Sequence, residues 1–259
     1  DNDASTGPNW NVNKAPSNGH YITIDTTNDQ IDWDINATFA ELTATGTFTG
    51  EVTQSVSMSV SGLLNIDTGK WHIANNDLSV SNLFMSNGTT LDMATGNLTI
   101  CQSLSASNGS GISSTGGTTT WFLATDHNNT ISGNTITDLV VLKTVPASTA
   151  TWTLTRDLTI VGDLTISNNC TLNVGAYALT VTGNLWVEGI LDSTNAASYV
   201  YVGKNWNSLT GTFRPGNGQV VLKGGSDSLI TVNTNGGFNN LCVCKDGLSQ
   251  NVTASSLLS

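Results

Sequence analysis

The chain has 259 residues, of which 19 are acidic and eight are basic, so its formal net charge at pH 7 is −11. Phosphate binding needs a concentrated basic face, and the eight scattered bases exclude a nucleic-acid partner. The same shortage argues against binding to an anionic membrane surface, and no apolar run is long enough to predict membrane insertion.

The composition indicates an all-β protein. Only 10% of residues are charged, and threonine, serine, asparagine and glycine are abundant. Threonine, valine, isoleucine and aromatic residues fit pleated strands, whereas glycine and asparagine fit tight turns. No amphipathic pattern with a helical period extends beyond two turns.

Residues 1–19 are predicted to form an N-terminal extension. The extension has neither an initiator methionine nor a basic and apolar leader, as expected of a mature secreted chain. Trp10 and Val12 alternate with asparagines, which predicts a short strand. This strand could be exchanged with the edge of a neighbouring molecule, or it could fold back as a cap on its own first coil.

The densest acidic cluster follows this extension and contains Asp25, Asp29, Asp32 and Asp34. Asp32 and Asp34 flank Trp33, so on a strand they share one face. This pair is a candidate calcium site. The alternative is a solvated acidic face, because no base lies nearby to complete a site.

A long internal repeat organises the rest of the chain. The segment GLLNI at 62–66 returns as GDLTI at 162–166, and the flanking apolar residues keep the same order. The copies are predicted at about 20–120 and 121–219, with a partial copy at 220–259. Chiefly the spacing of apolar residues repeats, since few residues are identical.

Within the repeat, the unit is an apolar-x-apolar triplet that predicts a very short strand. The outer two residues share a buried face and the middle residue faces outward. The clearest triplets are Leu158–Ile160, Leu164–Ile166, Leu172–Val174, Leu179–Val181 and Leu185–Val187.

Turn residues separate these triplets, and three triplets with their turns take about 20 residues, a length typical of a solenoid coil. The fold class predicted for 20–259 is therefore a parallel β-solenoid, or β-helix, of about 11 short coils. A closed antiparallel barrel or sandwich is the alternative, although its strands are usually spaced at wider intervals.

Four cysteines, Cys101, Cys170, Cys242 and Cys244, lack the spacing of a zinc site. On a strand, Cys242 and Cys244 leave the same face and are expected to point at a neighbour rather than at each other. We therefore predict disulfides from these cysteines to other strands or other chains in an oxidising compartment. The alternative is that they are free thiols in place of small apolar residues.

The sequence contains no recognisable catalytic motif: a nucleophile elbow, a phosphate loop and a paired-histidine zinc motif are all missing. His20, His72 and His127 occur in unrelated settings, with His72 expected to point outward. Outward aromatic residues such as Trp186 and Tyr201 could stack on sugar rings or pack against neighbouring coils. We therefore expect no enzymatic activity and no cofactor.

Glycosylation sequons occur about as often as chance predicts for this composition, and they permit decoration without indicating it. The candidate acceptors are Asn36, Asn87, Asn97, Asn108, Asn128, Asn169 and Asn251.

The segments GDLTI, GNLWV and GNLTI, with turns such as those in NNCTLNVGAYALTVTG, resemble the β-solenoid repeat modules of bacterial and archaeal cell-surface proteins. The resemblance covers nearly everything after His20. It implies an extracellular adhesin, filament, sheath or envelope layer, and it carries over no catalytic residue.

The predicted function is that of an extracellular structural protein at the cell surface. Uncapped solenoid ends expose unpaired backbone groups, and the last residues stop within a repeat, so the expected partner is another copy of the chain. Self-assembly into a filament, sheath or surface layer, with cysteine cross-links, follows from this. The alternatives are an adhesin or carbohydrate-binding module that takes surface glycans, and a polysaccharide-active β-helix enzyme.

Overall fold

The computed structural model describes residues 4, 6, 14–25, 30–86, 88–106, 110–113, 119–123, 127–132, 135–137, 140–144, 149–154, 157–233, 236–247 and 249–256. This described part contains 29 β-strands and no helix. The prediction of an all-β protein is therefore confirmed.

Most strands are three to five residues long, which matches the short apolar triplets of the sequence. The first eleven are β1 (Tyr21–Ile24), β2 (Gln30–Trp33), β3 (Thr38–Phe39), β4 (Glu41–Ala44), β5 (Glu51–Gln54), β6 (Met58–Ile66), β7 (Lys70–His72), β8 (Leu78–Met85), β9 (Thr90–Asp92), β10 (Leu98–Ala106) and β11 (Gly111–Ser113). The next nine are β12 (Thr119–Leu123), β13 (His127–Ser132), β14 (Thr135–Thr137), β15 (Val140–Thr144), β16 (Ala150–Leu154), β17 (Leu158–Val161), β18 (Leu164–Ile166), β19 (Cys170–Asn173) and β20 (Ala178–Val181). The last nine are β21 (Leu185–Val187), β22 (Ile190–Asp192), β23 (Tyr199–Val202), β24 (Trp206–Ser208), β25 (Thr212–Arg214), β26 (Gln219–Gly224), β27 (Ser228–Val232), β28 (Leu241–Lys245) and β29 (Val252–Ser256).

The chain forms two compact units, 1–120 and 121–259. In the first unit, one side of the coil is the parallel stack β2-β5-β7-β9-β11. The other two sides are formed by β1, β3 and β4 and then by the longer strands β6, β8 and β10. Each long strand covers two sides, and the pairing register shifts where it changes side, for example between Val60 and Leu63.

In the second unit, three parallel stacks are separate. They are β14-β17-β20-β23-β26-β28, β15-β18-β21-β24-β27-β29 and β13-β16-β19-β22-β25. Leu158, Leu179, Val200 and Val220 pair in series, at steps of 21, 21 and 20 residues. The predicted arrangement of three strands per coil, each paired with its equivalent one coil later, is confirmed.

The number of turns is lower than predicted. In the described residues, the first stack closes four turns in the first unit and five in the second, so the solenoid has about nine turns rather than about 11. The predicted number counts coils, whereas a turn is closed only between two paired strands. The end coil of each unit therefore adds to the predicted number without closing a further turn.

The interior of each coil is filled by the outer residues of the triplets. Leu158 and Ile160 are buried while Thr159 between them is half-buried, and the other four predicted triplets show the same pattern. Large aromatic side chains also contribute to this core. Trp33 packs edge-on against Phe39 with ring centroids 5.2 Å apart, and Trp33, Trp71, Trp152 and Trp206 are fully buried among the described residues.

The turns are held together by side chains that bond to the next coil. Asp163 Oδ1 accepts the backbone N–H of Asn184 at 2.6 Å and its side-chain amide at 3.1 Å. Asn184 Oδ1 in turn accepts the N–H of Asn205, and Asn205 Oδ1 accepts the N–H of Leu229 at 2.8 Å. This ladder explains why aspartate and asparagine occupy successive turns: their oxygens satisfy backbone donors that no strand partner reaches.

Some turns pass so close to the preceding coil that only glycine fits. A Cβ on Gly189 would overlap the carbonyl oxygens of Cys170 and Ser167, whereas a Cβ on Gly225 would meet no atom within 4 Å. The two glycines therefore provide a matched pair for testing the coil spacing.

We predict that Gly189→Ala lowers the free energy of unfolding by about 2 kcal/mol or more, because backbone must move to admit the methyl group. Gly225→Ala should change it by less than about 0.5 kcal/mol. Chemical denaturation of the two variants, followed by circular dichroism, measures both changes. Equal stability of the two variants would contradict the close coil spacing.

Candidate functional site

β28 is the last strand of the stack β14-β17-β20-β23-β26-β28, and one of its edges is unpaired. In the described residues, β28 pairs with β26 and with no other strand. Leu241 and Val243 lie opposite Val220 and Leu222, which are 2% and 0% exposed, yet they are themselves 41% and 52% exposed. The inward apolar face thus continues into β28 without being covered by the described residues. We call this feature the β28 edge.

The first coil is covered differently. Ala4 is buried, and its backbone N–H donates to the carbonyl oxygen of Asp32 on β2 at 2.9 Å. The inward residues Ile22 and Ile24 of β1 are buried as well. Trp10 and Val12, the predicted exchanged strand, lie outside the described residues.

A polar groove of about 400 Å³ crosses successive coils of the first unit. One of its walls is a column of hydroxyl groups on Thr38, Ser59, Ser79 and Thr99, which are paired in register across neighbouring strands. Adjacent paired strands lie about 4.8 Å apart, so the hydroxyl groups repeat at that spacing. We call this feature the hydroxyl groove.

A second polar column lies beside the hydroxyl column, because Ser57, Asp77 and Asn97 each precede a hydroxyl residue by two positions. Asn18 Oδ1 accepts the backbone N–H of Thr38 at 2.8 Å, and Ser57 Oγ accepts that of Asp77 at 3.1 Å. Asp77 Oδ1 accepts the side-chain amide of Asn97 at 2.9 Å. These bonds fix the second column, because every link joins one coil to the next.

The hydroxyl column has no such bonds. Within the described part of the chain, the hydroxyl groups of Thr38, Ser59, Ser79 and Thr99 have no hydrogen-bond partner. Some other hydroxyl groups of this unit donate to the preceding coil, as Ser61 Oγ does to the carbonyl oxygen of Phe39 at 3.1 Å. The unused hydrogen-bonding capacity in the groove is therefore available to a ligand.

His72 points outward from β7, as predicted, and lies between two carboxylates. Its Nε2 is 3.3 Å from Glu51 on β5, and its Nδ1 is 3.0 Å from Asp92 on β9. His20 lies in an exposed turn beside Ser17, and the side chain of His127 lies outside the described residues. Among the described residues the histidines are therefore not brought together.

The structure corrects the prediction that Cys242 and Cys244 do not face each other. A disulfide joins these two residues of β28, and their Cα atoms are 6.0 Å apart. Two residues on the same face of a strand are close enough for this bond, because disulfides span Cα separations of about 4.4–6.8 Å.

Cys101 and Cys170 are free thiols, and they differ in exposure. Cys101 is half-buried on β10, whereas Cys170 is fully buried on β19, where burial raises the pKa of its thiol to about 12. A buried thiol cannot reach another molecule, so the predicted cross-linking role is corrected for Cys170, which packs as a small apolar residue.

We predict that iodoacetamide at pH 8 labels Cys101 in the native protein and leaves Cys170 unlabelled, because the thiolate is the reactive form and burial both raises the pKa of Cys170 and keeps the reagent away from it. Without reductant, Cys242 and Cys244 should also remain unlabelled. Unfolding in guanidinium should then expose Cys170. Peptide mass spectrometry measures each site, and native labelling of Cys170 as fast as Cys101 would contradict this assignment.

The residues of the predicted calcium pair lie on β2 and directly after it. Asp32 is exposed on β2 opposite Thr53, and Asp34 follows the strand. In the described ranges, no group of three or more histidine, cysteine, aspartate or glutamate side chains could hold a metal ion. Asp25 is exposed before β2, and Asp29 lies outside the described residues.

The predicted glycosylation sites fall into two groups. Asn36, Asn97, Asn169 and Asn251 are exposed, while Asn87, Asn108 and the side chain of Asn128 lie outside the described residues. Asn36 and Asn97 line the hydroxyl groove.

The outward aromatic residues lie mainly against their neighbours. Tyr201 stacks on Tyr199 with ring centroids 5.9 Å apart, and the Lys223 ammonium lies 4.3 Å from the centre of the Tyr201 ring. Trp186 is half-buried on β21, opposite Thr165 and Asn207. The tyrosine pair is thus occupied by protein contacts.

Sequence reasoning predicted an uncapped solenoid end without placing it on β28, and it missed the hydroxyl groove. The groove has a signal in the sequence, because Thr38, Ser59, Ser79 and Thr99 recur at steps of 21, 20 and 20 residues. That signal can be recognised only when the coil length is known.

No protein-family model, no curated protein and no solved structure matches the chain. The fold itself defines the class: the protein is a parallel β-solenoid. Among the described residues, no helix is long and apolar enough to cross a membrane.

Proposed function

We propose that the protein is an extracellular structural protein whose solenoid stacks on further copies to build a filament, sheath or surface layer of the kind formed by bacterial and archaeal cell-surface modules. The observation that carries this proposal is the β28 edge. There, within the described residues, an apolar inward face and one row of backbone groups have no partner strand.

A second copy is the partner that fits the β28 edge best. A strand of another solenoid would continue the backbone ladder at the same spacing and would cover Leu241 and Val243. Full burial of an aliphatic side chain contributes about 1.5–3 kcal/mol, so these two residues supply a substantial part of a contact.

The usual protection against edge pairing is weak at β28. Proteins that remain monomeric commonly place lysine or proline on such edges. The strand carries one lysine, Lys245, and its ammonium donates to the carbonyl oxygens of Gly203 and Lys223 at 3.3 and 3.0 Å. Burial lowers the pKa of Lys245, against the opposing effect of Asp246 and Asp227. The Lys245 ammonium therefore bonds to its own unit and does not hinder a strand from pairing with β28.

An extracellular location is supported by the chemistry of the chain. The Cys242–Cys244 disulfide persists in an oxidising compartment and not in the cytosol. Covalent cross-links between copies would have to use Cys101, because Cys170 is buried. Strand pairing is accordingly proposed as the main contact and cysteine cross-linking as an addition to it.

We predict that the purified chain forms elongated oligomers with rising concentration, and that the double variant Leu241→Lys/Val243→Lys remains monomeric. Two charges on the inward face of the edge would have to be desolvated for a strand to dock. Light scattering after size exclusion and negative-stain electron microscopy measure the outcome.

The matched control is Leu229→Lys, because Leu229 is 44% exposed but faces outward on β27. This variant should assemble like the parent chain, and all variants should keep the β-type circular dichroism spectrum. A parent chain that stays monomeric at every concentration would refute the proposal, as would assembly that the two edge lysines do not reduce.

A further inference from the structure

We propose that the hydroxyl groove of the first unit binds an extended, neutral polysaccharide that runs across successive coils. This inference is independent of self-assembly, because it concerns a different unit from the β28 edge. It rests on the hydrogen-bonding state, charge and spacing of the groove.

The hydroxyl column combines unused hydrogen-bonding capacity with a position on a groove. The hydroxyl groups of Thr38, Ser59, Ser79 and Thr99 have no partner within the described residues, although they face a groove of about 400 Å³. Hydroxyl groups both donate and accept, so a column of them matches a ligand that is itself rich in hydroxyl groups.

The charge of the groove restricts the class of ligand. Asp77 is the one ionisable residue among those lining it, and no lysine or arginine is present. Asp77 Oδ1 already accepts the amide of Asn97, and the remaining charge is negative. Acidic polysaccharides and other polyanions would be repelled, whereas a neutral polyol is not.

The spacing of the groove favours a polymer over a small molecule. Each coil repeats the hydroxyl group about 4.8 Å further along the stack, which is close to the length of one sugar residue in an extended chain. Successive sugars can therefore make equivalent contacts with Thr38, Ser59, Ser79 and Thr99. The neighbouring polar column is held by coil-to-coil hydrogen bonds, so little ordering of the protein is needed on binding.

Affinity electrophoresis of the full chain tests this proposal. Native gels would contain hydroxyethylcellulose or dextran as neutral polymers and polygalacturonate as the anionic polymer. We expect at least one neutral polymer to retard the parent chain and polygalacturonate to leave its mobility unchanged.

Two groove variants locate the site. Ser59→Ala/Ser79→Ala removes two hydroxyl groups and should weaken binding by about tenfold, since each neutral hydrogen bond contributes modestly. Ser79→Trp fills the groove and should abolish retardation. The matched control is Thr159→Ala/Thr180→Ala, which removes two outward hydroxyl groups from the paired strands β17 and β20 of the second unit and should bind like the parent.

The outcomes separate this proposal from self-assembly. The variant with lysines at Leu241 and Val243 should still bind the neutral polymer, because the β28 edge lies in the other unit. Failure of both neutral polymers to retard the parent would overturn the proposal. So would equal binding by both groove variants and the parent, with folding verified by circular dichroism, or equally strong binding of polygalacturonate.

Discussion

The backbone hydrogen bonds between each strand and its equivalent one coil later are the interaction on which the rest of the structure depends. They fix the register in steps of 19–24 residues, as in the series Leu158, Leu179 and Val200. Because side chains alternate along a strand, this register places every apolar residue of a triplet directly above its counterpart. The core, the turn ladders and the glycine contacts at Gly189 all follow from that alignment.

The same alignment turns the outer surface into columns. In some columns the side chains bond along the stack, as Asp163, Asn184 and Asn205 do at the turns. In the hydroxyl groove the side chains remain unused, and at β28 the inward column ends with apolar residues uncovered. The two proposals therefore have one origin. Equivalent positions of successive coils line up, so one residue type repeated at such a position forms a column that either stabilises the stack or can bind a partner.

The sequence predicts what depends on local alternation. The triplet Leu158–Ile160 shows which side chains are buried, and its spacing from Leu164 shows that a turn lies between them. It cannot predict what depends on the register between coils or on side-chain reach. The Cys242–Cys244 disulfide was missed because alternation puts both sulfurs on one face without giving their separation. Ser59 and Ser79 become neighbours only when the coil length is known.

The parallel stacking of coils is tested most directly by nuclear Overhauser contacts between backbone protons in the second unit. The structure predicts amide-to-α-proton contacts linking Leu179 to the strands of Leu158 and Val200, about 20 residues away on either side. Parallel and antiparallel pairs differ in their hydrogen-bond pattern and Cα spacing. Short contacts between α-protons of β17 and β18, as an antiparallel hairpin produces, would contradict the solenoid.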